Sequence, residues 1–256
     1  FDEGQLENVK DRFFREARTA GRLNHPNIVT IYDVGEEFDL AYIAMDYIEG
    51  ENLISYTKAD TLLPLADVFN IIGKVALALD YAQNENVVHR DIKPANVMYN
   101  PENKKVTVTD FGVACLTDSS KTKTGTVLGT PSYMSPEQLA GHKVDGRSDL
   151  FSLGVMFFQL VTGELPFIGD SMASLMYKIT NEKHPDVRMF RLDLPPCVGR
   201  IIDKALCKEA DKRFQTGKDF IRAINKCKES IEHRKKITRD KKRNAASQSA
   251  DIEASE

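Results

Sequence analysis

His89-Arg90-Asp91-Ile92-Lys93-Pro94-Ala95-Asn96, followed by Asp110-Phe111-Gly112, is the stretch that decides how the chain reads. Asn96 and Asp110 offer side-chain oxygens, the donors that hard divalent cations take. Asp91 is placed to accept a hydroxyl proton, and Lys93, two residues on, to reach a phosphate. Gly112 permits a sharp backbone turn that would aim Asp110 inward. Each fragment alone has a plain alternative, since Asp-Phe-Gly is usually a turn. It is the ordered combination that carries meaning.

Two further stretches complete the pattern. Gly129-Thr130-Pro131-Ser132-Tyr133-Met134-Ser135-Pro136-Glu137 follows, and Asp149 heads an apolar run. Together these motifs resemble the eukaryotic-like (Hanks-type) protein kinase superfamily, most of all its bacterial serine/threonine branch. The resemblance covers roughly residues 8 to 228. It implies an α+β, protein-kinase-like two-lobe fold. It also implies that Asp91 is the catalytic base and that Asn96 and Asp110 hold metal. Lys93 after Asp91 is the serine/threonine pattern. Thr130 would bond near Asp91 and Lys93, Glu137 would pair with Arg213, and Asp149 would hold the catalytic-loop backbone. Ser135 stands where Ala is commonest.

The resemblance also assigns the nucleotide site. Glu16 matches the helix glutamate that pairs with an ATP-binding lysine. Met45 matches the gatekeeper, the backbones of Asp46 and Ile48 would meet adenine, and Met98 would floor the ring. Core packing alone would also explain Met45 and Met98. Thr122 and Thr124 lie on the implied activation loop, where a phosphate would pair with Arg90 and order the segment. Implied cofactors are ATP and Mg2+ or Mn2+. Implied partners are proteins bearing Ser or Thr, with self-association for autophosphorylation.

Outward from the motifs, periodicity sets the elements. Val9, Phe13, Ala17, Ala20 and Leu23 make one helical face, ended by Gly21 and Asn24-His25-Pro26-Asn27. Runs 28–34 and 40–47 read as a hairpin turning at Gly35-Glu36-Glu37. Helical spacing returns over 65–82. Short strands are expected at 97–99 and 106–109. Residues 149–162 are apolar on nearly every side, as in a helix at the centre of a domain, with Gly163 as its cap. Amphipathic helices follow near 172–179, 198–206 and 218–227.

Composition bounds the rest. Of 256 residues, 41% are hydrophobic and 29% charged, as in a globular chain that buries a core. A net charge of −3 lacks the basic excess of a nucleic-acid binder. The longest apolar run, Leu150 to Val161, is too short to span a bilayer. Cys115, Cys197, Cys207 and Cys227 lie far apart without a C-x-x-C pair, which argues against zinc and a disulfide scaffold and fits a reducing cytoplasm. Residues 233–243 carry seven cations against Asp240, a local charge of +6, before an acidic end. Residues 231–256 therefore read as a flexible basic-then-acidic tail, either a solvated helix end or a patch for anionic lipid or an acidic partner.

The expected organisation is a remnant of the small lobe and hinge over 1–50 (one helix, two strands), a mainly helical large lobe over 51–230, and the tail. No Gly-rich loop or strand lysine precedes Glu16; Lys10 lies within the same helix. The chain alone is thus expected to bind ATP poorly and transfer phosphate weakly, its parent being cytoplasmic or anchored through sequence before Phe1. A pseudokinase scaffold is disfavoured by the intact Asp91, Asn96 and Asp110. A small-molecule phosphotransferase would lack the 129–137 segment.

Overall fold

The computed structural model describes residues 14, 17–38, 40–111 and 131–253, with side chains through 237 and at 240. Helix at 17–20 ends in a turn at Gly21-Arg22, as expected; Val9 and Phe13 lie outside the described residues. Strands β1 (Ile31–Glu37) and β2 (Leu40–Met45) form an antiparallel hairpin. The turn falls later than the sequence suggests, at Phe38, whose φ is 50°. Gly35 is instead inside β1, opposite Tyr42. A Cβ there would stand 2.6 Å from the Tyr42 hydroxyl, so the glycine makes room for a cross-strand ring.

A second sheet orders β3 (Glu51–Asn52), β4 (Val97–Asn100) and β5 (Lys105–Val108), all antiparallel. The segment before the hairpin is strapped to it. Val29 N–H donates to Val108 C=O (3.0 Å), Val108 N–H to Asn27 C=O (2.9 Å), and Asn27 Nδ2 to Val106 C=O (2.8 Å).

The helices build the large lobe: α1 (Leu65–Asn84), α2 (Pro136–Leu139), α3 (Gly146–Thr162), α4 (Met172–Asn181), α5 (Pro196–Ala205) and α6 (Gly217–Glu253). α3 is the hub. Of its residues only Arg147 and Gln159 escape burial. Asp145 caps its start by accepting from Arg147 N–H, and Gly163, at φ 83°, ends it in the left-handed conformation expected of a glycine there. α1 buries Ile71, Ile72 and Val75 and packs against α3, where Phe69 meets Phe157, and against α6. Buried Asp80 on α1 accepts from Lys218 N–H (3.0 Å), which satisfies an orphan donor in the first turn of α6.

One expectation needs correcting. Cys197 and Cys227 form a disulfide between α5 and α6, with Cα atoms 5.5 Å apart. Thirty residues separate them, and packing of two helices, which spacing does not encode, brings them together. The reading against disulfides, and the reducing compartment inferred with it, therefore lose their support. Beyond 231, α6 continues as helix to Glu253, and the side chains of 232–237 are exposed. The alanines, lysines and arginines there are strong helix formers, and they extend a helix already anchored by packing.

Candidate active site

The loop bearing Asp91 is suspended from α3. Both carboxylate oxygens of Asp149, buried at the helix start, accept backbone N–H groups: Oδ2 from His89 and Oδ1 from Arg90, each at 2.8 Å. Burial pushes the Asp149 carboxyl up, and these backbone donors together with the nearby Arg90 charge pull the other way. Arg90 sits at φ 67° and Asp110 at φ 60°. Non-glycine residues held there cost on the order of 1–3 kcal/mol each and persist only when the surroundings over-determine them.

His89 is fully buried and closes the loop from within. Its Nε2 lies 2.8 Å from Thr109 C=O and its Nδ1 3.3 Å from Asp91 N–H. One tautomer satisfies both, with the proton on Nε2. The ring also packs on Phe111, centroids 4.5 Å apart. His89 thus joins the Asp91 loop to the Asp110 strand end. The motif names this residue, but nothing in the sequence announces that role.

The candidate side chains around Asp91 then come together. Lys93 Nζ lies 2.6 Å from Asp91 Oδ2. Asn96 Nδ2 donates to Asp91 C=O (2.8 Å) and to Asp91 Oδ2 (3.0 Å). With its amide nitrogen committed to Asp91, Asn96 has its Oδ1 left for another partner. Thr109 N–H donates to Asn96 C=O (2.9 Å), which places Asp110 one residue from Asn96's backbone. Asp110 is exposed, and one of its oxygens accepts from Thr109 Oγ1 (3.2 Å). An amide oxygen and an exposed carboxylate fit Mg2+, which usually takes one or two protein oxygens and completes its shell with phosphate and water.

The nucleotide-site candidates lie on the hinge and the second sheet. Met45 ends β2 and is part-exposed. Asp46 is committed to structure: its N–H donates to Thr30 C=O (3.0 Å), and its carboxylate accepts from the Tyr32 hydroxyl, a bond that lowers its pKa. Ile48 lies between strands, and its backbone groups take no partner among the described residues. Met98 is half-buried between fully buried Val97 and Tyr99, so it faces the other side of its sheet. Glu16, Gly112, Thr122, Thr124 and Thr130 lie outside the described residues.

The segment after residue 130 is built into the same frame. Arg213, with no exposed side-chain surface, forks onto Glu137 at 2.6 and 2.8 Å, and Ser148 Oγ donates to the same carboxylate at 2.5 Å. Burial opposes ionisation of Glu137, yet Arg213 and Ser148 prevail and hold its pKa below the ordinary value. Ser152 Oγ donates to Tyr133 C=O (2.7 Å), and Tyr133 donates to Gln159 (2.5 Å). Burial pushes the Tyr133 phenol up to about 12, so it stays a donor.

A two-lobed α+β fold with its catalytic loop hung from a buried helix carboxylate is the architecture of a protein-kinase-type phosphotransferase. The chain belongs to that family: a profile of the protein kinase domain matches residues 2–234. Its relatives are bacterial serine/threonine kinases. It is 40% identical over 210 residues to serine/threonine-protein kinase PrkC of Bacillus subtilis, covering 82% of this chain and 32% of PrkC. It is 40% identical over 216 residues to PknB of Mycolicibacterium smegmatis, covering 82% and 34%. The chain thus spans about a third of the length of these relatives. The fold also matches a crystal structure of Rad53 1–466 in complex with AMP-PNP, at TM-score 0.71 and 24% identity over 82% of this chain and 53% of that one.

Proposed function

We propose that this catalytic centre transfers the γ-phosphoryl group of ATP to serine and threonine hydroxyls of proteins. The observation that carries the reading is the Asp91 carboxylate, held by Lys93 and Asn96 in a loop fixed by Asp149. Asp91 takes the substrate hydroxyl proton as that oxygen bonds to the γ-phosphorus and the bond to the bridging oxygen of ADP breaks. Lys93, released from Asp91, follows the phosphate. Asn96 and Asp110 hold Mg2+ or Mn2+, which neutralises phosphate charge when bound. Met45, Asp46, Ile48 and Met98 receive the adenine, Glu16 orients the lysine that grips the phosphates, and Thr130 braces Asp91 and Lys93. The relatives' names, and AMP-PNP in the Rad53 complex, support this assignment.

Thr122 or Thr124 is the proposed autophosphorylation site, with Arg90 as its partner and a second copy of the chain as a transient substrate. Among the described residues no helix is long and apolar enough to cross a membrane.

The test is intact mass after incubation with Mg-ATP. It is run on the chain alone and on a chimera carrying a relative's Gly-rich loop and strand lysine, each beside Asp91→Asn. Whole phosphates gained by the chimera, mapping to 117–132 and abolished by Asp91→Asn, are expected. Phosphate gained equally by Asp91→Asn would remove Asp91 from the chemistry.

A further inference from the structure

Gln138 lies just beyond the Ser-Pro-Glu segment, and its side chain spans two parts of the site. Its Oε1 accepts from Ser135 N–H (3.0 Å), and its own N–H donates to Ser135 Oγ (3.3 Å), which together form a capping box at the start of α2. Ser135 is fully buried. The S-x-x-Q spacing is legible in the sequence. The other end of the amide is not: Nε2 donates to Arg90 C=O at 2.8 Å, across 48 residues. Rotating the amide by half a turn would set nitrogen against an N–H and oxygen against a carbonyl, so the network fixes its orientation.

A cap on a four-residue helix needs only Oε1. The Nε2 bond falls instead on the residue immediately before Asp91, which sits at φ 67°. Asp149 holds the peptide plane on the N-terminal side of Arg90, and Gln138 holds the plane on its C-terminal side. Together with His89 Nδ1, which takes Asp91 N–H of the same peptide from its other edge, the two bonds set φ and ψ of Arg90, and hence the direction from which the Asp91 side chain departs. We propose that Gln138 is a positioning residue: it pins the Arg90–Asp91 peptide and makes the 131–138 segment and the Asp91 loop one mechanical unit. The proposal rests on Asp91 being the base.

Two variants separate the bonds. Gln138→Glu keeps an acceptor for Ser135 N–H and loses the donor to Arg90. Gln138→Met, close in shape, loses both. Hydrogen exchange on the chain reads the pin without needing activity. Both variants are expected to speed exchange over 89–92 about ten-fold, the worth of one net hydrogen bond, while only the Met variant also loosens 135–140. In the chimera both are expected to lower kcat about ten-fold or more, with KM for ATP unchanged, as a displaced base would. Wild-type exchange over 89–92 in both variants would reduce Gln138 to a helix cap and overturn the proposal. Faster exchange with unchanged kcat would overturn it too, since the pin would then not orient the base. A wild-type chimera that transfers no phosphate would instead count against the kinase reading of Asp91, and exchange would still decide whether the pin exists.

Discussion

Glu137 and Arg213 show what a single residue contributes to this frame. Arg213 is fully buried, and besides Glu137 it donates to the Cys207 and Lys208 carbonyls (2.6 and 2.7 Å). Removing the carboxylate leaves a buried guanidinium without its counter-charge, a change that typically costs about 3–5 kcal/mol. Glu137→Gln keeps the shape and removes the charge, so it isolates that effect. The pH dependence follows from the direction of the shift. Glu137 has a folded pKa below its ordinary 4.5, so the pair's stabilisation is present in full above that value and is lost as pH falls through the lower folded value. Urea midpoints of the wild type and Glu137→Gln are therefore expected to lie well apart at pH 7 and to converge in acid. Parallel curves would mean that the carboxylate's charge contributes nothing here.

Between elements, close approach sets the limits. Where α6 starts, a Cβ on Gly217 would stand 2.0 Å from the Ala76 carbonyl and 2.8 Å from Asp80 Cβ, so α1 and α6 touch only because that side chain is absent. Gly217→Ala is expected to lower stability by about 3 kcal/mol, the upper range for overpacking. Gly73, inside α1, is the control. Nothing lies within 4 Å of its added Cβ, and Gly73→Ala should gain about 0.5–1 kcal/mol by helix propensity. The disulfide joins α5 to α6 across thirty residues, and by loop closure its removal in Cys197→Ser/Cys227→Ser should cost roughly 3–4 kcal/mol; an unchanged urea midpoint would show that the bond adds nothing in solution. None of these contacts is visible in periodicity. The spacing of Val68, Ile71, Ile72 and Val75 shows α1, and the apolar run after Asp149 shows α3, because each helix carries its own pattern. The Asp91 loop is legible for a different reason: its candidate groups lie within a few residues, and the proposed chemistry calls for those residue types. What stays hidden depends on residues meeting from distant parts of the chain, as with Gly35 under Tyr42, Gln138 against Arg90, and Cys197 with Cys227.

Across the whole molecule, stability is unevenly distributed, and the candidate site lies on the boundary. Neither β1 nor β2 contains a buried residue, and Phe38, Leu40 and Tyr32 are largely exposed. A two-stranded hairpin has little stability of its own. Among the described residues its attachment to the rest includes Ile31, packed against the core and beside Gly21, and the 27–29 strap on β5. The large lobe has one continuous core, from Leu53 through α1 and α3 to Cys227. Opening of the hairpin should therefore need far less free energy than opening of the core, which makes it a separate cooperative unit. Hydrogen exchange at pH 7 is expected to show amides of 31–45 exchanging at least a hundred-fold faster than those of 97–100 and 150–161, on the order of 3 kcal/mol less protection. The strap predicts a gradient as well: Val29, bonded to Val108, should be protected with the core while Glu36 is not. Met45, Asp46 and Ile48, the proposed adenine contacts, follow the hairpin directly, so on that proposal a nucleotide that bridges them to the Asp91 loop would bind only the closed arrangement. Its binding should slow exchange throughout 31–45 in proportion to its occupancy. Hairpin amides as slow as those of α3 without any nucleotide would mean that the small lobe is already locked to the core, and that nucleotide binding has no opening to suppress.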